Sequence, residues 1–475
     1  MATSSLILGP MIGGLSHNSA NVWARADGPS TLYVWVGTQA EGKGAKLAGS
    51  VELHDHDGFA GVVALKKLSA ETEYYFAVTL LRSRPKRGDF HRFKTFPKPG
   101  QAASFSFMFG SCYLPPNEHG GQTLDVLRQQ VKDDDLRFGL MLGDQIYADD
   151  AKGNGIGHIA VSLKDYRGAY QYVWSRPAFR DLQADLPLFM TLDDHEVEDD
   201  WSWRDENRKW AGIPWFNKVL RWLKSIPPEQ RHLSPERVKA ALKTYVEHQV
   251  IHAPKLLLPP KTNSLGELTL GKDDGNFAYT FEAGKAAFFV LDTRSMRVIN
   301  GKKRVLLGEK QWGFLQDWLL KTKDKYPVKF LVSSGTILHP FWLDVTRDRW
   351  NGFPVERERL LEFLAVHEIE GVHILCGDLH TAHAVSAELN CPSGKHLPIH
   401  EFCATPFEQK SMFVSNTYHP LFSKWIGKQK KLLHQTGQNF GIVNVDFEKD
   451  GTPLVTFTLH YNKNGWKTQP PVITG

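Results

Sequence analysis

The chain has 475 residues, too many for one ordinary core, so two units or one large unit with an appendage are expected. Apolar residues make up 41% and charged residues 23%, a composition that excludes a disordered or fibrous protein. The formal net charge of +5 is small and scattered, which argues against nucleic acid as the main partner.

The start, Met1 to Pro10, has no basic segment and only a short apolar stretch. It predicts no signal peptide and no transmembrane helix, and it favours the cytoplasm unless a leader has been removed. Residues 1–98 read as all-β. Short β-branched and aromatic runs such as Ala20–Arg25, Thr31–Val36 and Tyr74–Leu80 are separated by Gly, Asp and Pro clusters. About seven strands in that length predict a small sandwich. The stretch from Phe96 to Ala103 reads as a linker.

From residue 104 to 475, strands and helices alternate. Strands are predicted at Phe105–Gly110, Phe138–Leu142, Leu186–Leu192, Ala286–Leu291, Val328–Val332 and Val372–Cys376. Helical spacing is found at Thr123–Val131, Glu309–Leu320 and Val355–His367, with a long helical region between Trp201 and His252. Continuous apolar strands between amphipathic helices imply a sheet covered on both faces. The end returns to β, with Phe440–Phe447 and Leu454–Leu459 flanking a turn at Asp450–Gly451.

Four cysteines, Cys112, Cys376, Cys391 and Cys403, are too few for a disulfide framework, although Cys391 and Cys403 could pair. Cys376 lies inside a strand and reads as core. Lys428, Lys430 and Lys431 form the densest basic patch and read as a solvated face.

Four of the apolar strands run into polar clusters at their C-terminal ends. The clusters are Gly110–Cys112, Gly143–Tyr147, Asp193–Glu196 and Gly377–His380. In an open α/β sheet, ligands bind beyond these strand ends, so four separate segments converge on one place. Several carboxylates in one half-buried site repel each other, and two multivalent cations resolve the conflict. Oxygen ligands suit hard cations, whereas Tyr and Cys favour a ferric or other transition-metal centre, so two unlike metals are expected. Taken singly, Asp144 could cap a helix and Cys112 or Tyr147 could be packing. His383, three residues beyond His380, is open among ligand, supporting residue and surface. The joint occurrence of the four segments is what points to a site.

These motifs resemble those of the alkaline phosphatase D (PhoD-like) family of metallophosphoesterases. Leu291–Arg294, Leu307–Gln311, Trp318–Leu319 and the Trp350-Asn-Gly-Phe-Pro run are similar as well, and the β-rich start resembles the fibronectin-like domain of that family. The resemblance implies a four-layer α/β sandwich at residues 104–475, preceded by a fibronectin-like domain at 1–98. It implies hydrolysis of phosphate esters by a hydroxide held on an iron and calcium site. By position, Asp144 bridges the metals, Cys112, Tyr147 and His380 bind iron, and Asp194 and Asp378, with Asp199, bind the calcium side. His195 matches the residue over the phosphate and would protonate the leaving oxygen. Two departures stand out: Glu198-Asp199-Asp200 replaces the usual Asn residues, and a Trp-rich insert runs from Trp201 to Trp222. The rival readings are a phosphodiesterase or phospholipase-type hydrolase on the same metals, and a binding module with a vestigial site.

Overall fold

The computed structural model describes residues 4–201, 233–263, 268, 275–299, 304–339, 349–411 and 420–474. The Trp-rich insert beyond Trp201 lies outside them. The first seven strands are β1 (Leu6–Gly13), β2 (Ser19–Ala26), β3 (Ser30–Gly37), β4 (Lys46–Leu53), β5 (Ala60–Lys66), β6 (Glu73–Thr79) and β7 (His91–Lys94). They pair only with each other, in a three-stranded sheet β1-β2-β5 and a four-stranded sheet β4-β3-β6-β7. Alternation of apolar and polar residues is visible in β4, whose burial switches at every residue.

Two seven-stranded sheets form the remainder. The first contains β8 (Phe105–Gly110), β9 (Leu136–Met141), β10 (Leu188–Met190), β18 (Asn439–Phe447), β19 (Pro453–Asn462), β20 (Trp466–Thr468) and β21 (Val472–Thr474). The second contains β11 (Tyr279–Ala283), β12 (Ala286–Val290), β13 (Val328–Val332), β14 (Val372–Cys376), β15 (Ala382–Asn390), β16 (His396–Cys403) and β17 (Ile426–Gln435). Strands β8, β9 and β10 run parallel, as do β12, β13, β14 and β16.

A layer of phenylalanines separates the two sheets. Phe107 stacks on Phe138 at 4.8 Å and Phe288 on Phe330 at 4.7 Å between ring centroids. Each such ring, fully buried, contributes about 2 kcal/mol by area alone. The outer faces are covered by helices. Thr123–Asp133, Leu163–Trp174 and Pro177–Asp185 pack on the first sheet, and Gly308–Thr322 and Pro354–Val366 on the second. The result is the expected four-layer sandwich.

Some expectations shift. Phe96 is no linker residue: it is fully buried against Phe138, Phe189 and Phe281, because the chain leaving the first two sheets passes over the phenylalanine layer. The strand expected at Leu186–Leu192 shortens to β10, Leu188–Met190, where it can pair with β9. All four cysteines are free and buried, so Cys391 and Cys403 do not pair. Lys428 and Lys430 are exposed on β17, at the edge of the second sheet, where charge discourages pairing with another chain. No helix among the described residues is long and apolar enough to cross a membrane.

Candidate metal centre

The parallel strands of both sheets end on one side of the molecule, and the loops that follow them interlock. The Ser111 hydroxyl accepts from the Asp378 N–H at 3.0 Å, joining the loop after β8 to the loop after β14. Cys112, Asp144, Asp378 and His380 all have φ between 53° and 63°. A non-glycine residue in this left-handed region costs of order 1 kcal/mol or more, and such residues cluster at functional sites. Gly143 makes the second approach possible: its φ is 97°, and a side chain there would collide with the Asp193 Cβ.

The side chains fall into three overlapping donor groups, within each of which the ligand atoms lie within 4.8 Å of one another: Cys112, Asp144 and His380; Asp144, Asp194 and His195; Asp194, Asp199 and Asp200. Asp144 belongs to the first two. Its Oδ2 accepts from the Cys112 thiol at 3.3 Å and from the Tyr147 hydroxyl at 3.4 Å, while its Oδ1 accepts from the His195 N–H. Tyr147 also lies 3.3 Å from His380 Nε2, so the sequence-derived set of Cys112, Asp144, Tyr147 and His380 is brought together. Asp194 joins through Asp144, and Asp199 stands at the exposed rim. Asp378 belongs to none of the three groups; it is instead ion-paired with Arg349 at 2.5 Å.

His195 packs against Tyr147, with 4.1 Å between ring centroids and the rings tilted by 34°, and its Nδ1 is 2.8 Å from Asp149 Oδ1. Burial opposes charge on this imidazole, but Asp149, Asp194 and Asp144 outweigh it and hold its pKa well above the ordinary value. The pKa of His380 moves the other way, to about 4, because burial, His195 and Arg349 all disfavour its protonation. Burial, the Cys112 thiol and Asp194 push the Asp144 carboxyl well up, and burial with Asp378 pushes Cys112 up to about 12.

Four supporting residues were given no role in the sequence reading, although Glu196 and Arg294 lie within motifs it singled out. Glu196 accepts from the backbone N–H groups of Asp144, Gln145 and Asp193, and from the Gln249 amide. Asp149 orients His195. Arg294 pairs with Asp193 at 2.5 Å, and Arg349 with Asp378. Arg349 directly precedes the Trp350-Asn-Gly motif and Asp149 follows Tyr147 by two residues, so adjacency to motifs was the available signal.

Fold and site together define the class. The chain superposes on the solved structure titled PhoD with a TM-score of 0.70 at 20% identity, covering 98% of this chain and 88% of that one. It superposes on a purple acid phosphatase from yellow lupin (Lupinus luteus) seeds with a TM-score of 0.59 at 12% identity, covering 98% and 73%. At these identities the likeness is one of fold alone. The family model described as PhoD-like phosphatase matches residues 107–454, and the chain belongs to that family. A curated relative, alkaline phosphatase D of Bacillus subtilis (strain 168), is 27% identical over 323 residues, an alignment covering 61% of this chain and 48% of that protein. The matched region thus spans about half the length of that relative.

Proposed function

We propose that the protein is a metal-dependent hydrolase of small phosphate esters, with iron held by Cys112, Tyr147 and His380. Asp144 would be the ligand shared with a harder cation, calcium, that Asp194 and Asp199 would hold; Asp378 would join them by giving up its ion pair with Arg349. The observation that carries this reading is the position of Asp144 in two donor groups at once, one with a thiol, a phenol and an imidazole and the other rich in oxygen. The donor set fits such a pair of cations. A buried carboxylate crowded by Asp194 and a thiol is a poor arrangement without positive charge between them. The acidic run Glu198-Asp199-Asp200 adds oxygen donors on the side assigned to calcium.

When bound, the metals supply Lewis-acid stabilisation of phosphoryl charge and a water acidic enough to act near neutral pH. The residues of the chain do the rest. Asp149 holds His195 Nδ1 and so directs Nε2 outward as the proton donor to the leaving oxygen. Residues 1–98, whose strands pair only among themselves, are proposed to be a separate fibronectin-like unit docked on the catalytic body at 104–475.

Elemental analysis of purified protein, paired with a panel of phosphomonoesters, phosphodiesters and phospholipids, tests the reading. Iron with calcium and a visible phenolate-to-iron band are expected. Colourless, fully active protein holding only zinc would remove the iron assignment. Metal-replete protein that turns over no ester would leave only a binding module.

A further inference from the structure

A second cluster of metal-ligand side chains lies apart from these donor groups. In the second sheet, Cys376 on β14 pairs in register with Cys403 on β16, Cys403 with His383 on β15, and His383 with His434 on β17. Register partners in neighbouring strands point to the same face, so four strands present one row of two thiols and two imidazoles. Cys376, Cys403 and His383 are each 0% exposed. Their ligand atoms lie within 4.8 Å of one another. Two metal–sulfur bonds of ~2.3 Å at a tetrahedral angle would set the sulfurs ~3.8 Å apart, a separation that falls within this span.

The imidazole is prepared for a ligand role. His383 Nε2 lies 2.9 Å from Glu401 Oε1. Glu401 accepts from the backbone N–H groups of Ile337, Leu338 and His339 at 2.6, 2.7 and 3.0 Å, which fixes it as the anion and acceptor. The proton of a neutral His383 therefore sits on Nε2, and Nδ1 is a bare lone pair. That Nδ1 is buried and has no hydrogen-bond partner. A carboxylate on one ring nitrogen and an open lone pair on the other is the arrangement that metal-ligating histidines use. The thiols face each other and His383, and their contacts with carbonyl oxygens are long, from 3.5 to 3.6 Å.

We propose that Cys376, Cys403 and His383 bind a structural zinc ion, with Glu401 as the carboxylate behind the histidine and the fourth position taken by water or His434. Two thiolates and an imidazole select zinc over the hard cations suited to the carboxylates next door. The site lies directly under the turn that carries Asp378 and His380: Cys403 Sγ contacts the carbonyls of Gly377 and Thr381, which flank that turn. The zinc would lock the base of this turn. Zinc at this position would be independent of phosphoesterase activity.

X-ray absorption at the zinc edge of purified wild-type protein is the first measurement. A population of zinc with two sulfurs is expected, which the Cys112 site cannot supply because it has one thiol. Cobalt(II) substitution in Cys112→Ser is the second. It should retain an intense thiolate-to-cobalt band that Cys112→Ser combined with Cys403→Ser loses, together with about one metal equivalent per chain. Zinc with at most one sulfur in the wild type, no thiolate-to-cobalt band in Cys112→Ser, or a band that survives the double substitution would overturn the proposal. So would a Cys376–Cys403 disulfide in the freshly purified protein. Should the double variant fail to fold, the wild-type sulfur count still decides.

Discussion

Glu196→Gln is the substitution that best separates support of the site from chemistry at it. Glu196 is completely buried. Its Oε2 accepts from Asp144 N at 3.2 Å and Asp193 N at 3.1 Å, and its Oε1 from Gln145 N at 2.8 Å and Gln249 Nε2 at 3.1 Å. Burial raises the carboxyl's pKa, but all four partners are donors, so the geometry fits the anion. Glutamine keeps the shape and replaces one oxygen with an NH2 group. With the NH2 at the Oε2 position, two buried backbone N–H groups face a donor; at the Oε1 position only the Gln145 N–H does, because the Gln249 amide can turn to accept. Each unsatisfied group costs about 1–3 kcal/mol, so the easier orientation should cost about 1–3 kcal/mol. At ~1 °C per kcal/mol for a chain of this length, the melting temperature should fall by roughly 1–3 °C. Because two of the bonds hold Asp144 and Asp193, metal content should fall as well. Differential scanning calorimetry and elemental analysis of the variant are the assays. A variant with wild-type melting temperature and full metal would refute the reasoning, since it would mean that the four bonds neither hold the loops nor set the left-handed turn at Asp144.

Three further outcomes are expected. His195→Ala should keep its metals and lose roughly two to four orders of magnitude in turnover of alkyl phosphates, but much less with a nitrophenyl ester, whose leaving group needs no proton; an emptied site would make His195 a ligand instead. The protein should lose stability as pH falls through about 6.5 towards 4. Burial lowers the pKa of His252 to about 4 in the folded state, so the unfolded chain takes up the proton first, and at pH 5 this residue alone accounts for about 2 kcal/mol. His248 and His373, depressed chiefly by burial, act in the same direction, and a melting temperature unchanged between pH 7 and pH 5 would contradict this. Removing residues 1–98 should yield an aggregation-prone body, because Trp23 packs edge-on to Trp174 at 5.7 Å and its indole N–H bonds to the Glu247 carbonyl; a soluble, monodisperse 99–475 fragment would show the docking to be dispensable.

The parts of the fold legible in the sequence are those whose signal is local. Phe105–Gly110, Val328–Val332 and Val372–Cys376 were bounded to the residue, because a run that is apolar except for one residue (Ser106, Lys329 or His373) is what a strand covered on both faces gives. The helix Leu163–Trp174 was not read although its signal was present: Tyr166, Ala169, Tyr170, Val173 and Trp174 lie at helical spacing behind a Ser162–Asp165 capping box. Strand β15 was hidden, since it carries His383, Ser386 and Glu388 among alanines, which are poor strand formers. At the candidate site, residues following strands were legible as donors because polar groups interrupt apolar runs. Their partners were not. Nothing local links Arg294 to Asp193, 101 residues away, or Arg349 to Asp378, and the resemblance that suggested Asp378 as a ligand gave no hint of that ion pair.

The left-handed backbone at Cys112, Asp144, Asp378 and His380 bears on how this protein would respond to selection. At each of these four positions glycine would relieve conformational strain that the present side chain maintains. A library screened for heat resistance alone would therefore enrich glycine there and drift towards well-folded chains stripped of metal donors. A screen that also demands turnover would have to find its stability elsewhere, among surface positions and helix caps, and would leave these four turns as they are.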